Sequence, residues 1–165
     1  MAERTLTLYA GHAGSGKSTL ARARSKDVGG VLLDKDTLTE PFVRALLVSV
    51  GRSPDEREGS YYLDVVRPLE YRALMDAVWE AITYGAQHVL AVAPFVKELS
   101  DESWVNDTRA QASSHGVSLH IEWVECDPDE RKRRLIQRGL SRDAQKLRHW
   151  DEWVSALKTP QIIRA

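Results

Sequence analysis

Thr5-Leu6-Thr7-Leu8-Tyr9-Ala10 alternates in polarity and is rich in β-branched residues, the mark of a strand. It runs straight into a glycine-rich turn and then an alanine- and arginine-rich stretch, Ser18 to Ser25, that reads as a helix. Val31-Leu32-Leu33, after Gly29-Gly30, predicts a short buried strand. Leu38, Phe42, Leu46 and Val50 recur every four residues and predict a helix with that face turned inward. Gly51 to Gly59 is polar and reads as an exposed excursion, and Pro68 suits the first turn of a helix carrying Leu69, Ala73, Ala77 and Ala81 and closed by Gly85. Val89-Leu90-Ala91-Val92-Ala93 is continuously apolar, as a strand covered on both faces requires. Ser100, Asp101 and Glu102 open a further helix, and Leu119 to Val124 alternates again. Asp127-Pro128-Asp129-Glu130 combines a capping residue, a first-turn proline and a glutamate at the third position, announcing a helix from about Asp129 to Arg138. A last helix is expected from Arg142 to Lys158.

Strands separated by helical crossovers predict an α/β, three-layer fold with a mostly parallel sheet of four to five strands. The fifth would be a weak edge strand near Ile162-Ile163. With 165 residues, 42% hydrophobic and 28% charged, a single domain over 1–165 is the expectation. No apolar run approaches a membrane span, and residues 1–3 lack a secretory pattern, so a cytoplasmic protein is expected. One cysteine, Cys126, forms no internal bridge and is expected to be a buried, inert thiol. Twenty-three basic residues against 24 acidic ones argue against a general nucleic-acid binder.

Gly11-His12-Ala13-Gly14-Ser15-Gly16-Lys17-Ser18 fits G-x-x-x-x-G-K-[ST] between strand and helix, the context this phosphate-binding pattern demands. The backbone must curl so that several N–H groups point inward, and side chains at Gly11, Gly14 and Gly16 would obstruct it. Lys17 is placed to reach the β- and γ-phosphates and the Ser18 hydroxyl to ligate Mg²⁺, with Thr19 near the α-phosphate. His12 and Ala13 fill variable positions of the same nucleotide-binding loop. His12 is expected to be exposed, with a substrate contact as the alternative.

Asp34-Lys35-Asp36 falls at the carboxyl end of the second strand, where ligands bind in open α/β sheets. One of these carboxylates can take a proton from an attacking hydroxyl while the other organises Mg²⁺ through water. The plainer alternative is that Asp36 caps a helix beginning at Thr37. Arg134, Arg138 and Arg142 are spaced by four and share a helix face as far as Gly139. Arg134 is grouped with the nucleotide-binding residues, and Arg138 and Arg142 with a lid near 138–144 that neutralises the transferred phosphoryl group. Arg131, Lys132 and Arg133 are expected to form a solvated basic face, and the five tryptophans to pack.

Together these segments resemble the small P-loop kinases that include zeta toxins, chloramphenicol phosphotransferase and the 5′-kinase domain of phage polynucleotide kinase. The resemblance covers most of the chain: Gly11 to Thr19 looks like their Walker A loop, Leu33 to Leu38 like their catalytic-aspartate segment, and Val124 to Arg142 like their last strand, helix and arginine lid. Actinobacterial-type P-loop ATP-binding proteins are similar in Asp36 to Phe42 and in Arg138 to Asp143. The resemblance implies a P-loop NTPase fold, a general base at Asp36 and transition-state arginines at Arg138 and Arg142. Val89-Leu90-Ala91-Val92-Ala93-Pro94 departs from the pattern, carrying no Walker B carboxylate, so the metal is expected to rest on Ser18, phosphates, water and Asp34.

The expectation is an ATP- and Mg²⁺-dependent phosphotransferase acting on a hydroxyl of a small molecule, catalysed by Lys17, Asp36, Arg138 and Arg142. Its acceptor pocket would be built from Gly51 to Pro68, the following helix, and Pro94 to Glu98. A monomer or weak dimer is expected, without membrane partners and with nucleic acid disfavoured. Two alternatives stand: a nucleotide-binding regulatory or partner protein with weak ATPase activity, and a zeta-type toxin kinase acting on nucleotide sugars.

Overall fold

The structure, a computed structural model, describes residues 3–164. Four strands are present among them: β1 (Thr5–Ala10), β2 (Val31–Asp34), β3 (His88–Val92) and β4 (Ser118–Trp123). They form one sheet in the order β2-β3-β1-β4, with every pairing parallel. In register, Tyr9 stands beside Val92 and Glu122, and Val92 beside Asp34. The carboxyl ends of all four strands therefore open onto one rim.

Alternation along the strands divides the core between two faces. Leu6, Leu8, Val89 and Ala91 pack against α3 (Arg67–Thr83) and α5 (Glu102–Ser114) through Leu74, Val78, Ile82 and Val105. Tyr9, Leu90 and Val92 face the other way and cover Ala21 of α1 (Lys17–Val28). Because β3 is covered on both faces, its apolar run has no polar phase. This is the three-layer α/β architecture expected. No helix among the described residues is long and apolar enough to cross a membrane.

Several elements differ from the sequence reading. In α2 (Lys35–Ser49) the buried residues are Lys35, Thr39, Val43 and Leu47, whereas Phe42 is 76% exposed and Val50 46% exposed. Lys35 decides the matter: its ammonium reaches Glu70 on α3 at 2.6 Å, which turns the Phe42 side outward. In α3 the buried face is Glu70, Tyr71, Leu74, Val78 and Ile82 rather than the Leu69, Ala73, Ala77, Ala81 row. Pro68 falls in the first turn of α3 as expected, but helical structure already begins at Ser60 and leads into it through a π turn over Tyr62–Val66. Proline has no N–H to donate one turn back, and the π turn absorbs that break, with the Arg67 N–H donating five residues back to Tyr62.

A short α4 (Val96–Leu99) follows Phe95, whose φ of 53° is held by an N–H bond to the Tyr71 hydroxyl at 3.2 Å. Asp127 caps α6 (Pro128–Arg138), as the capping pattern predicts. The expected final helix is instead broken into a 3₁₀ turn (Ser141–Asp143), α7 (Ala144–Arg148) and α8 (Trp150–Ala156). The fully buried Asp143 carboxylate, gathering Arg138 and Lys146, imposes the tight turn at its start. Ile162-Ile163 falls in α9 (Gln161–Arg164) and not in a strand, because the chain turns helical after Pro160. β4 is thus an edge strand.

Candidate active site

The loop from Gly11 to Gly16 wraps tightly at the end of β1. A Cβ on Gly11, whose φ is 141°, would sit 2.5 Å from the Val124 carbonyl oxygen, and one on Gly14 would sit 3.0 Å from that of Arg131. The first approach excludes any side chain, and at Gly14, where φ is 80°, one would be both crowded and strained. Gly16 precedes α1 without a side-chain cap, so the first-turn N–H groups of a 12-residue helix are left to face the loop's hollow. Lys17 crosses that hollow, its ammonium donating to the His12 carbonyl at 3.3 Å. Burial pushes the amine down to about 8, helped by Arg138 and opposed by Asp36. Thr19 stands exposed at the start of α1.

At the end of β2 the Ser18 hydroxyl donates to Asp34 Oδ2 at 2.8 Å, and Asp34 Oδ1 accepts the Asp36 N–H at 3.0 Å. Asp34, not Asp36, is therefore the cap of α2. Asp36 is left free to turn into the cleft, where it meets the ammonium of Lys35 at 3.0 Å and the guanidinium of Arg142. Burial pushes the Asp36 carboxyl up, but the charges of Lys35 and Arg142 outweigh it and hold it well below the usual carboxylate range.

Behind Asp36 lies a polar network that the sequence analysis does not anticipate. Glu70, 3% exposed, accepts from Lys35 at 2.6 Å, from the Thr39 hydroxyl at 3.0 Å and from the Tyr62 hydroxyl at 2.7 Å. Its position four residues before Leu74 on the buried face of α3 was the available clue. Arg142 also donates to Glu40 at 2.6 Å, and Glu40 receives Arg57 at 3.0 Å from the polar excursion. Arg138 makes a two-pronged contact with Asp143 at 2.7 and 2.9 Å. Arg134 lies against the loop, donating to the Ser15 carbonyl at 2.9 Å.

Two clefts meet at these residues. One, of about 440 Å³, includes Gly14, Gly16, Thr19, Arg22 and Arg134 in its lining. The other, of about 330 Å³, includes Ala13, Arg57, Tyr62, Arg67, Tyr71 and Val96. Lys17, Ser18, Asp34, Asp36, Arg138 and Arg142 line both. The second cleft joins the polar excursion, the α3 helix and the Pro94 segment, the three parts assigned to an acceptor pocket in the sequence. Ser18 and Asp34 present hard oxygens side by side, which suits Mg²⁺ shared with phosphates and water. No group of three His, Cys, Asp or Glu side chains able to hold a metal by itself occurs among the described residues.

Three expectations need correction. His12 is half-buried and set edge-on to Trp123, ring centres 5.2 Å apart, because the loop packs down on the end of β4. Arg131 is not on a solvated face: it is 6% exposed, at the side of α6 that meets the loop. Cys126 is half-buried at the mouth of a cavity rather than buried. Ser15, a loop residue, is 4% exposed and its hydroxyl has no partner.

A phosphate-binding loop between β1 and α1 on this parallel sheet gives the chain a P-loop NTPase fold. The sequence matches the family described as AAA domain over residues 6–160, and the chain belongs to that family. Among solved structures it is similar to a candidate kinase from Chloroflexus aurantiacus J-10-fl, with 20% identity, a TM-score of 0.59, and 84% of this chain and 68% of that one covered. It is also similar to a gluconokinase from Sinorhizobium meliloti 1021, with 16% identity, a TM-score of 0.53, and coverage of 95% and 76%. A structure of the PezAT toxin-antitoxin system of Streptococcus pneumoniae gives 16% identity, a TM-score of 0.53, and coverage of 84% and 53%. At these identities the likeness establishes the fold. No curated protein matches the sequence significantly.

Proposed function

We propose that this protein is an ATP-dependent kinase that transfers the γ-phosphate to a hydroxyl group of a small molecule. The observation that carries the reading is the junction of two clefts at Lys17, Asp36, Arg138 and Arg142, one cleft behind the phosphate loop and one among Tyr62, Arg67 and Tyr71. In-line transfer needs a donor and an acceptor approaching a shared centre from opposite sides. The amides of Gly11 to Thr19, with His12 and Ala13 as backbone members, hold the donor phosphates, and Arg134 braces the loop from α6. Lys17 draws the β- and γ-phosphates together. Ser18 and Asp34 would hold Mg²⁺, which when bound neutralises charge on the phosphate oxygens.

Asp36 orients the acceptor hydroxyl and takes its proton. So strongly stabilised a carboxylate is a weak base, which suits a late proton transfer after the bond to phosphorus has largely formed. Arg138 and Arg142, carried on the segment 138–144 as a lid, offset the charge on the moving phosphoryl group. Lys35 and Glu70 act through Asp36, holding it in place. The domain would work by itself in the cytoplasm, as a monomer or weak dimer.

The test is ATP consumption against a panel of hydroxyl acceptors, followed by identification of the phosphorylated product. The reading requires one acceptor to raise ADP release well above the rate with water. If every acceptor leaves the wild-type rate at the level of Asp36→Asn, the protein is not a kinase of this kind.

A further inference from the structure

The lining of the second cleft holds seven cationic side chains and two carboxylates, Asp34 and Asp36. Most of the cations are committed. Arg67 grips Glu98 with both terminal nitrogens, at 2.8 and 2.9 Å, and Lys35 is held by Glu70 and Asp36. Arg142 is shared by Asp36 and Glu40, Arg57 reaches Glu40 and the carbonyls of Pro54 and Glu56, and Arg138 takes both oxygens of Asp143. Two ammonium groups are left short. Among the described residues Lys17 donates only to the His12 carbonyl, and Lys146 only to Asp143 Oδ1, at 3.4 Å, on a carboxylate that Arg138 already holds.

Lys146 shares the electrostatic character of Lys17. Its side chain is 19% exposed, and burial pushes its amine down, with Arg138 and Arg142 adding to the fall and Asp143 opposing it. An ammonium offers three donors, and this one makes a single long bond. The other carboxylates around it do not supply the balance. Asp55 pairs with Arg44 and Glu56 with Arg52, while Glu58 and Glu152, in the shallow cavities beside it, are exposed and form no ion pair with it. The donor and its metal claim Lys17 and Asp34. The remaining six cations of the lining meet five carboxylates, Asp36 within it and Glu40, Glu70, Glu98 and Asp143 behind it, so one positive charge is in excess. A single unbalanced charge, half-buried, calls for a single negative one. We propose that the acceptor is a hydroxy acid, its hydroxyl at Asp36 and its carboxylate on the Lys146 ammonium. Leu63, Tyr71 and Val96 supply the apolar surface of the cleft for its carbon chain. This assignment of a substrate class rests on the kinase reading of the same site.

The test makes two measurements on the full chain. Glycerate, threonate and quinate, each beside its primary amide, and glycerol 3-phosphate are supplied with Mg-ATP while ADP release is followed. The same compounds are then titrated with a non-hydrolysable ATP analogue bound, and the Lys146 Nζ resonance is observed. At least one acid should give kcat/KM about tenfold or more above its amide, as a charge-assisted contact requires, and should shift the Lys146 signal saturably. Lys146→Gln should bring acid and amide to within about threefold, chiefly through a higher KM for the acid, and Lys146→Arg should restore most of the preference. Amides turned over as fast as their acids, a preference that survives Lys146→Gln, or glycerol 3-phosphate preferred to glycerate would overturn the proposal and leave the kinase reading standing. No ADP release with any compound, beside a saturable and acid-selective shift at Lys146, would overturn the kinase reading and leave the carboxylate site. Neither ADP release nor a shift would overturn both. If Lys146→Gln does not fold, the acid-selective shift at Lys146 Nζ in the wild type decides.

Discussion

Arg142 is ion-paired with Asp36, so an arginine of the proposed lid and the proposed acceptor base share one contact 106 residues apart in sequence. Removing the carboxylate while keeping the shape isolates its chemistry. Asp36→Asn should lower turnover by about 10²- to 10⁴-fold, the usual span for a positioned acid or base. Nucleotide affinity, measured by calorimetry, should stay within a few-fold, because the proposed phosphate site is the loop and Lys17. A variant that keeps wild-type turnover would remove Asp36 from the reaction.

The same carboxylate fixes a pH behaviour. Its proton is held off well below the usual carboxylate range, so no acid limb in kcat/KM from Asp36 is expected above pH of about 4. For stability the sign follows from the depressed value. The contribution is fully present above the unfolded carboxyl value of about 3.9 and is lost as pH falls through the lower folded value. Urea midpoints of wild type and Asp36→Asn should therefore converge as the solution is acidified below that point.

Lys17 gives the opposite trend. Its amine is lowered from 10.5 to about 8 by burial, so the unfolded chain binds more protons than the folded one between those values. Stability of the free protein should rise with pH across that window. Nucleotide affinity should fall over the same window, since the phosphates favour the charged amine. Calorimetry at pH of about 8.5 in buffers of differing ionisation enthalpy should register proton uptake on nucleotide binding. Lys17→Ala should abolish that uptake and most of the affinity.

Much of the site was legible because its chemistry is local. Gly11 to Ser18, Asp34 to Asp36 and the Asp127 cap each declare themselves within a few residues, and the strand register then brings the first two to one rim. What could not be read depends on contacts far apart in sequence. The α2 face follows from a buried Lys35–Glu70 pair 35 residues apart, which overrides the more apolar Phe42 row. The burial of Arg131 follows from where α6 meets the loop, which a run of four basic residues does not disclose. The π turn before Pro68 illustrates the same limit, since the sequence marks the proline but not how the helix passes it.

Glu70 tests the buried network. It accepts three side-chain hydrogen bonds, and Glu70→Ala would leave Lys35 buried with only the partly exposed Asp36 as counter-charge. A loss of about 3–5 kcal/mol in denaturant unfolding is expected when one member of a buried pair is removed. Tyr62→Phe removes one donor and should cost about 1 kcal/mol. If Glu70→Ala instead unfolds like wild type, the pair is not a structural anchor and Asp36 must be held by Arg142 alone.

In the proposed lid, Arg138 is tied to both stability and turnover. Asp143 is fully buried, and its carboxylate gathers Arg138 by two bonds and Lys146 at 3.4 Å. Asp143→Ala leaves both cations without that partner, so it should lower the melting temperature and turnover together. Arg138→Lys keeps a positive charge beside Asp143 but breaks the two-pronged contact with that buried carboxylate, so a loss of stability smaller than that of Asp143→Ala is expected. The phosphoryl group would lose the guanidinium Nη1 that Asp143 does not engage, and turnover should fall by about tenfold or more with little change in nucleotide affinity. Arg138→Lys with full turnover would assign Arg138 to holding the 3₁₀ turn alone and leave Arg142 as the only lid arginine facing the transferred group.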